Sequence, residues 1–152
     1  MAVAPIPAGY HSVTPYLIID GAAKAIDFYK HAFEAEELLR LPLPDGKVAH
    51  AEIKIGDSPV MMADAQEEYR SPKAYGGTPV SLMVYVKDVD RIFRQALAAG
   101  ATQQRPVVNQ FYGDRSGTLV DPFGHIWTIA THVEDVSPEE IDRRMAKMME
   151  GA

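Results

Sequence analysis

The stretch YGDRSGTLVDPFGHIW, residues 112–127, decides the fold of this chain. In its middle, Asp121-Pro122-Phe123-Gly124 combines residue types that favour tight turns. The segments on either side, 112–120 and 125–132, contain the β-branched and aromatic residues that are typical of strands. A hairpin of two strands is therefore predicted near the end of the chain.

The elements around this hairpin follow an order that occurs twice. The first pass predicts a strand at 13–19, a helix from Ala22, and strands at 36–41, 48–55 and 59–63. The second pass predicts a strand at 80–86, a helix from Asp88 to Gly100, and strands at 103–108, 112–120 and 125–132. The two passes are offset by roughly 67 residues, near the length of one such unit. An unrelated α+β domain with a similar order of elements is the alternative.

Residues 112–127 closely resemble the last hairpin of the vicinal oxygen chelate superfamily, which includes glyoxalase I, bleomycin-resistance proteins, fosfomycin-resistance enzymes and extradiol dioxygenases. The stretch Thr14-Pro15-Tyr16-Leu17, helix residues 25–30 and the final Ala130-Thr131-His132 resemble its PhnB-like branch. The resemblance covers roughly residues 12–135. It implies an α+β fold of two βαβββ modules that enclose a cavity, with helices on one face of each sheet and a ligand on the other.

The predicted boundaries describe a single domain over residues 1–152. Module one spans about 12–65, a polar connector about 66–78, module two about 79–133, and a C-terminal helix about 137–149. Asp20 is the expected N-cap of the first helix, and Ser137 that of the C-terminal helix, with Glu140 at the capping-box position. The apolar side of the C-terminal helix could cover a dimer interface or its own sheet, and the sequence leaves both open.

The composition narrows the class of protein. The 152 residues carry a net charge of -6 and contain no cysteine. The negative charge disfavours nucleic acid and anionic membranes as partners, and the missing thiols exclude disulfides and thiolate metal sites. The N-terminus has neither the basic start nor the apolar run of a signal peptide, so we expect a cytoplasmic protein.

The resemblance also implies four metal-ligand positions, on the first and last strand of each module. The best matches in this chain are Val13, Met62, Ser81 and Thr128. Because valine and methionine offer no hard donor and hydroxyls bind first-row divalent ions poorly, we predict no metal at these positions and no cofactor. The alternative is a displaced divalent-metal site. Its ligands would be His50, Glu52, Asp64 and His132.

Other residues are candidates for a ligand cavity, because strand alternation or their position near its mouth favours them. The candidates are His50, Glu52, Met62, Asp64, Ser81, Met83, Tyr85, Tyr112, Arg115, Thr128 and His132. Arg115 could bind an anionic ligand or form an ion pair with Asp114 or Glu52. The methionines would make the wall adaptable toward an apolar or planar compound.

Three functions are compatible with these residues. The first is a PhnB-like protein that binds a small organic molecule in a cavity without the usual metal. The second is a divalent-metal lyase, transferase or dioxygenase that uses the displaced site. The third is a protein that sequesters an antibiotic or toxin without chemistry. The resemblance further implies a homodimer.

Overall fold

The computed structural model describes residues 2–151, and its elements follow the predicted order. Module one contains β1 Tyr16–Ile19, α1 Ala22–Phe33, β2 Glu36–Pro42, β3 Val48–Ile55 and β4 Ser58–Asp64. Module two contains β5 Ser81–Tyr85, α2 Val89–Ala99, β6 Thr102–Asn109, β7 Asp114–Val120 and β8 Ile126–His132. A short 3-10 helix, Pro72–Tyr75, lies in the connector, and α3 Pro138–Glu150 follows module two.

Each module forms its own four-stranded sheet, in the order β1-β4-β3-β2 and β5-β8-β7-β6. In both sheets the first strand pairs in parallel with the last, and the remaining pairs are antiparallel. Leu17 pairs with Met62 in the first sheet, and Val84 pairs with Ile129 in the second. The second pair lies 67 residues after the first, so the structure confirms the repeated βαβββ unit.

The core is shared by the two modules. The apolar residues of α1 are buried, and α1 packs on α2 as well as on its own sheet. The ring of Phe33 lies 4.9 Å from that of Trp127, and the Tyr29 hydroxyl donates to Asp121 at 2.6 Å. These contacts join α1 to the hairpin of module two, and they hold the two sheets in one body.

The first helix of each module begins under a side chain from the last strand of that module. Asp64 accepts hydrogen bonds from the backbone N–H groups of Gly21 and Ala22, both at 3.0 Å. At the equivalent place Thr131 accepts from the backbone N–H of Val89 at 2.9 Å. The prediction that Asp20 caps α1 is wrong, because Gly21 occupies the N-cap position and a tertiary partner satisfies the free N–H groups.

Helix α3 lies on the surface and buries none of its residues. Ser137 caps it as predicted, accepting from the Glu140 backbone N–H at 3.2 Å. Arg144 anchors it through Glu134 at 2.6 Å and the Phe111 carbonyl at 2.9 Å. Its apolar side chains, Met145 and Met148 among them, are exposed. Among the described residues there is no helix with the length and apolarity needed to span a bilayer.

Candidate functional site

One face of each sheet carries no helix, and we call these the open face of module one and the open face of module two. Leu17 and Ile19 are buried beneath α1, whereas Tyr16, the first residue of β1, is 49% exposed. On β5 the alternate residues Met83 and Tyr85 are 46% and 60% exposed. The open face of module one carries Tyr16, Ile18, His50, Glu52 and Met61. The open face of module two carries Ser81, Met83, Tyr85, Asp114, Ser116, Thr118, Thr128, Ala130 and His132.

A hydrogen-bonded cluster occupies the open face of module one. The Tyr10 hydroxyl donates to Glu52 Oε1, and His50 Nε2 lies 3.2 Å from Glu52 Oε2. His50 Nδ1 is 2.9 Å from the Tyr16 hydroxyl. The hydrogen bond to Glu52 raises the pKa of Tyr10 to about 12, and burial followed by the Glu52 charge raises the pKa of Tyr16. Both phenols therefore stay protonated at neutral pH, and Glu52 is the acceptor at the centre of the cluster.

A second cluster occupies the open face of module two. Asp114 is buried, and its two oxygens accept from the Tyr85 hydroxyl at 2.8 Å and from His132 Nδ1 at 2.8 Å. His132 Nε2 in turn lies 2.7 Å from Asp135. The hydrogen bond to Asp114, then that to Asp135, raises the pKa of His132. The hydrogen bond to Asp114 likewise raises the pKa of Tyr85. On each open face, one carboxylate thus forms hydrogen bonds with both a histidine and a tyrosine.

Two of the predicted cavity residues lie on the opposite side of the first sheet. Met62 is fully buried in the core, and its neighbour Met61 takes the place on the open face. Asp64 is buried beside α1, where its second oxygen also accepts from the Val48 backbone N–H at 2.7 Å. The cavity prediction is therefore wrong for Met62 and Asp64. The side chains of β4 alternate in the opposite sense, so that Met61 faces the open side and Met62 and Asp64 face the helix side.

Arg115 is also placed differently from its prediction. Its side chain forms a two-point ion pair with Asp90 of α2, at 2.8 and 2.9 Å, and contacts Asn109 at 3.2 Å. Arg115 lies opposite Thr131 on the helix side of β7. The predicted ion pairs of Arg115 with Asp114 or Glu52 are therefore wrong. Tyr112 lies exposed in the turn before β7, with its ring edge-to-face on Phe111.

The remaining candidates are spread along β5 and β8. Ser81 and Met83 pair with Ile126 and Thr128 on the open face of module two. The Thr128 hydroxyl is 2.9 Å from that of Thr118, so the hydroxyls satisfy each other.

Within one protomer, the side chains of residues 2–151 are not arranged to hold a divalent metal. No group of three or more histidine, aspartate or glutamate side chains among residues 2–151 is arranged to hold an ion. His50 and His132 lie on different sheets, and Asp64 is engaged by backbone, so the displaced site does not assemble within a protomer. At the four positions that the resemblance implies, Val13, Met62, Ser81 and Thr128 offer no imidazole or carboxylate. We therefore derive no chemistry through a metal.

The sequence-based candidate list lacked four members of the two clusters: Tyr10, Tyr16, Asp114 and Asp135. Tyr10 precedes the first strand, and Asp135 follows the last, so strand alternation gives no signal for either. Asp114 shares its parity on β7 with Ser116 and Thr118, and that alternation could have placed it on the open face.

The comparison with known proteins now gives the family. A family model described as "Glyoxalase/Bleomycin resistance protein/Dioxygenase superfamily" matches residues 10–129. The chain belongs to this superfamily, and the duplicated βαβββ fold agrees with it. An uncharacterised protein of Mycobacterium bovis is 42% identical over 145 residues, covering 92% of this chain and 95% of the relative.

Solved structures give the same fold. TioX from Micromonospora sp. ML1 is 28% identical with a TM-score of 0.65, and the match covers 84% of this chain and 100% of that one. A PhnB protein from Bacillus cereus is 21% identical with a TM-score of 0.63, over 80% of this chain and 99% of that one. PhnB-like proteins are thus among the structural neighbours of this chain.

Proposed function

We propose that this protein binds a planar small organic molecule, neutral or cationic, on its open faces. Glu52 and Asp114 are the recognition groups, and Tyr16, Met83 and Tyr85 form the walls. The observation that carries the proposal is the pair of clusters in which a shielded carboxylate is surrounded by exposed aromatic and thioether side chains. Such sites combine an apolar surface with a few oriented polar groups.

The charge of the clusters selects the ligand. Glu52 is only 14% exposed as a side chain and faces hydrogen-bond donors on module one, and Asp114 does the same on module two. Asp135 adds a third carboxylate close to His132. An anionic ligand would meet like charge here, whereas an ammonium, amidinium or amide group gains a charge-assisted hydrogen bond.

A second copy of the chain is proposed to complete the site. Both open faces carry exposed apolar or aromatic side chains: Leu39, Leu41 and Tyr16 on module one, and Met83 and Tyr85 on module two. Large apolar side chains exposed on a sheet face are candidates for an interaction surface. Pairing the open face of module one with that of module two from the other protomer would enclose one ligand at each of two equivalent sites.

Binding of a cationic planar dye tests the proposal. We expect acriflavine to bind the wild-type protein in a fluorescence-anisotropy titration, and fluorescein, an anionic planar dye, to bind far more weakly. Glu52→Gln should weaken acriflavine binding about tenfold, the effect of one charge-assisted hydrogen bond. Glu67→Gln, in the exposed connector, removes the same net charge elsewhere and should leave the affinity unchanged.

The melting temperature of each variant separates a binding effect from unfolding. Equal affinity for the two dyes would overturn the proposed charge selection. Equal acriflavine affinity in folded Glu52→Gln and Glu67→Gln would overturn the role of Glu52. No acriflavine binding by the wild-type protein would overturn the proposed function.

A further inference from the structure

His132 and Asp114 form a pair that a binding site alone does not need. Asp114 is buried and holds Nδ1 of the imidazole, whereas the ring itself lies half-exposed at the end of β8. When Asp114 accepts from Nδ1–H, the neutral imidazole carries its lone pair on Nε2. The ring is thereby oriented with its basic nitrogen away from the buried carboxylate.

The contact that covers Nε2 is weak. Nε2 is held by Asp135, whose side chain is fully exposed in the segment after β8. Exposed pairs of this kind contribute little free energy because solvent screens them and the side chains lose mobility. A bound molecule or water can therefore replace Asp135 at Nε2 at small cost, while Asp114 stays in place.

The imidazole is accessible to a small substrate, because the His132 side chain is 51% exposed. Ala130 and Ser116, which pair with each other in the next row, are buried, so the exposed surface beside the ring is the side chain of Tyr85. Tyr85 pairs with Ala130 on the other strand and donates to Asp114. Neutral substrates suit this place because Asp114 and Asp135 both border it.

We propose that His132 is a general base that activates water for hydrolysis of a neutral ester on the open face of module two, with Asp114 as its positioning residue. Nε2 takes a proton from water as the water oxygen forms a bond to the ester carbonyl carbon. The bond from that carbon to the alkoxy oxygen then breaks, and Nε2–H returns the proton to the departing alcohol. Water and ester give acid and alcohol, so no other reactant is needed.

This inference rests on the proposed function only in placing a small molecule on that face. The groups around His132 also define its pH dependence. Asp114 faces it from β7 and Asp135 from the following segment, Tyr85 reaches it through Asp114, and Glu134 is engaged by Arg144. The active form is the neutral imidazole, so the rate should rise with pH through the raised pKa of His132 and then level off.

Hydrolysis of p-nitrophenyl acetate by the full chain tests the inference. We expect His132→Gln to lower the protein-dependent rate about 100-fold, the usual contribution of a general base. Asp114→Asn should lower the rate and move the inflection of the pH profile to lower pH, because the carboxylate no longer supports the imidazolium. His31→Gln is the matched control, since His31 is exposed on α1 and contacts only a backbone carbonyl there.

The form of the kinetics decides the role of the imidazole. A solvent deuterium isotope effect without a burst of nitrophenol supports water activation, whereas a burst indicates direct attack by the ring and overturns it. Equal rates in the wild-type, His132→Gln and His31→Gln proteins, all shown to be folded by melting temperature, also overturn it. Acriflavine binding with no hydrolysis would refute this inference while leaving the proposed function standing.

Discussion

Replacing Asp121 by alanine is expected to lower the free energy of unfolding by about 4 kcal/mol. This carboxylate is buried in the turn between β7 and β8. It accepts four hydrogen bonds, from the Tyr29 hydroxyl at 2.6 Å, Trp127 Nε1 at 2.9 Å, and the backbone N–H groups of Phe123 and His125 at 2.9 and 3.0 Å. The substitution leaves these donors without their partner and releases a contact between the modules.

Urea unfolding followed by tryptophan fluorescence measures this effect. Asp121→Asn should also destabilise the protein, because an amide group directs donors toward Tyr29 and Trp127. Asp57→Ala is the control: Asp57 lies in an exposed turn and bonds only the neighbouring Ser58 hydroxyl. A loss of less than about 1 kcal/mol for Asp121→Ala would contradict the structural role, since that is the size of one ordinary hydrogen bond.

Asp64→Ala is expected to cost about 3 kcal/mol of unfolding free energy. Its carboxylate satisfies three backbone N–H groups, those of Gly21 and Ala22 at the start of α1 and that of Val48 at the start of β3. Removing it leaves the first turn of α1 without its acceptor and takes a negative charge from the positive end of the helix.

Asp20→Ala provides the matched control for this effect. Asp20 is exposed beside the same helix end, so its substitution should change stability by no more than about 0.5 kcal/mol. The folded Asp64→Ala protein should bind acriflavine as the wild type does, because Asp64 lies on the helix side of the sheet. A stable Asp64→Ala protein that has lost dye binding would show that Asp64 belongs to the ligand site after all.

The sequence was sufficient for the fold because its local signals agree with one another. The Asp-Pro-Phe-Gly turn predicts the last hairpin, and the order of strand, helix and three strands, which occurs twice, predicts where the other elements lie. The error in β4 has a physical reason. Residues 59–63 form a continuous apolar run. Because apolar and polar residues do not alternate there, the sequence does not indicate whether Met61 or Met62 faces the core.

The candidate site was less predictable, because its contacts depend on tertiary register. His132 meets Asp114 only because β7 and β8 pair those two residues directly. Arg115 meets Asp90 because α2 begins above that end of β7, a relation that the spacing of 25 residues does not reveal. The proximity of His50 and Glu52 could be predicted from the sequence, because two residues that are two positions apart on one strand lie on the same face.

Cysteine cross-linking tests most directly whether open faces from two protomers form one ligand site. The natural chain contains no cysteine, so Met61→Cys on module one and Met83→Cys on module two can be introduced without further changes. A short bismaleimide should convert the double variant into a covalent dimer on a denaturing gel, and acriflavine should slow the reaction. Each single variant should stay monomeric on the gel, because the proposed dimer places each open face against the other kind and not against its own copy. A double variant that never forms a covalent dimer, together with a monomer in sedimentation, would contradict the shared site.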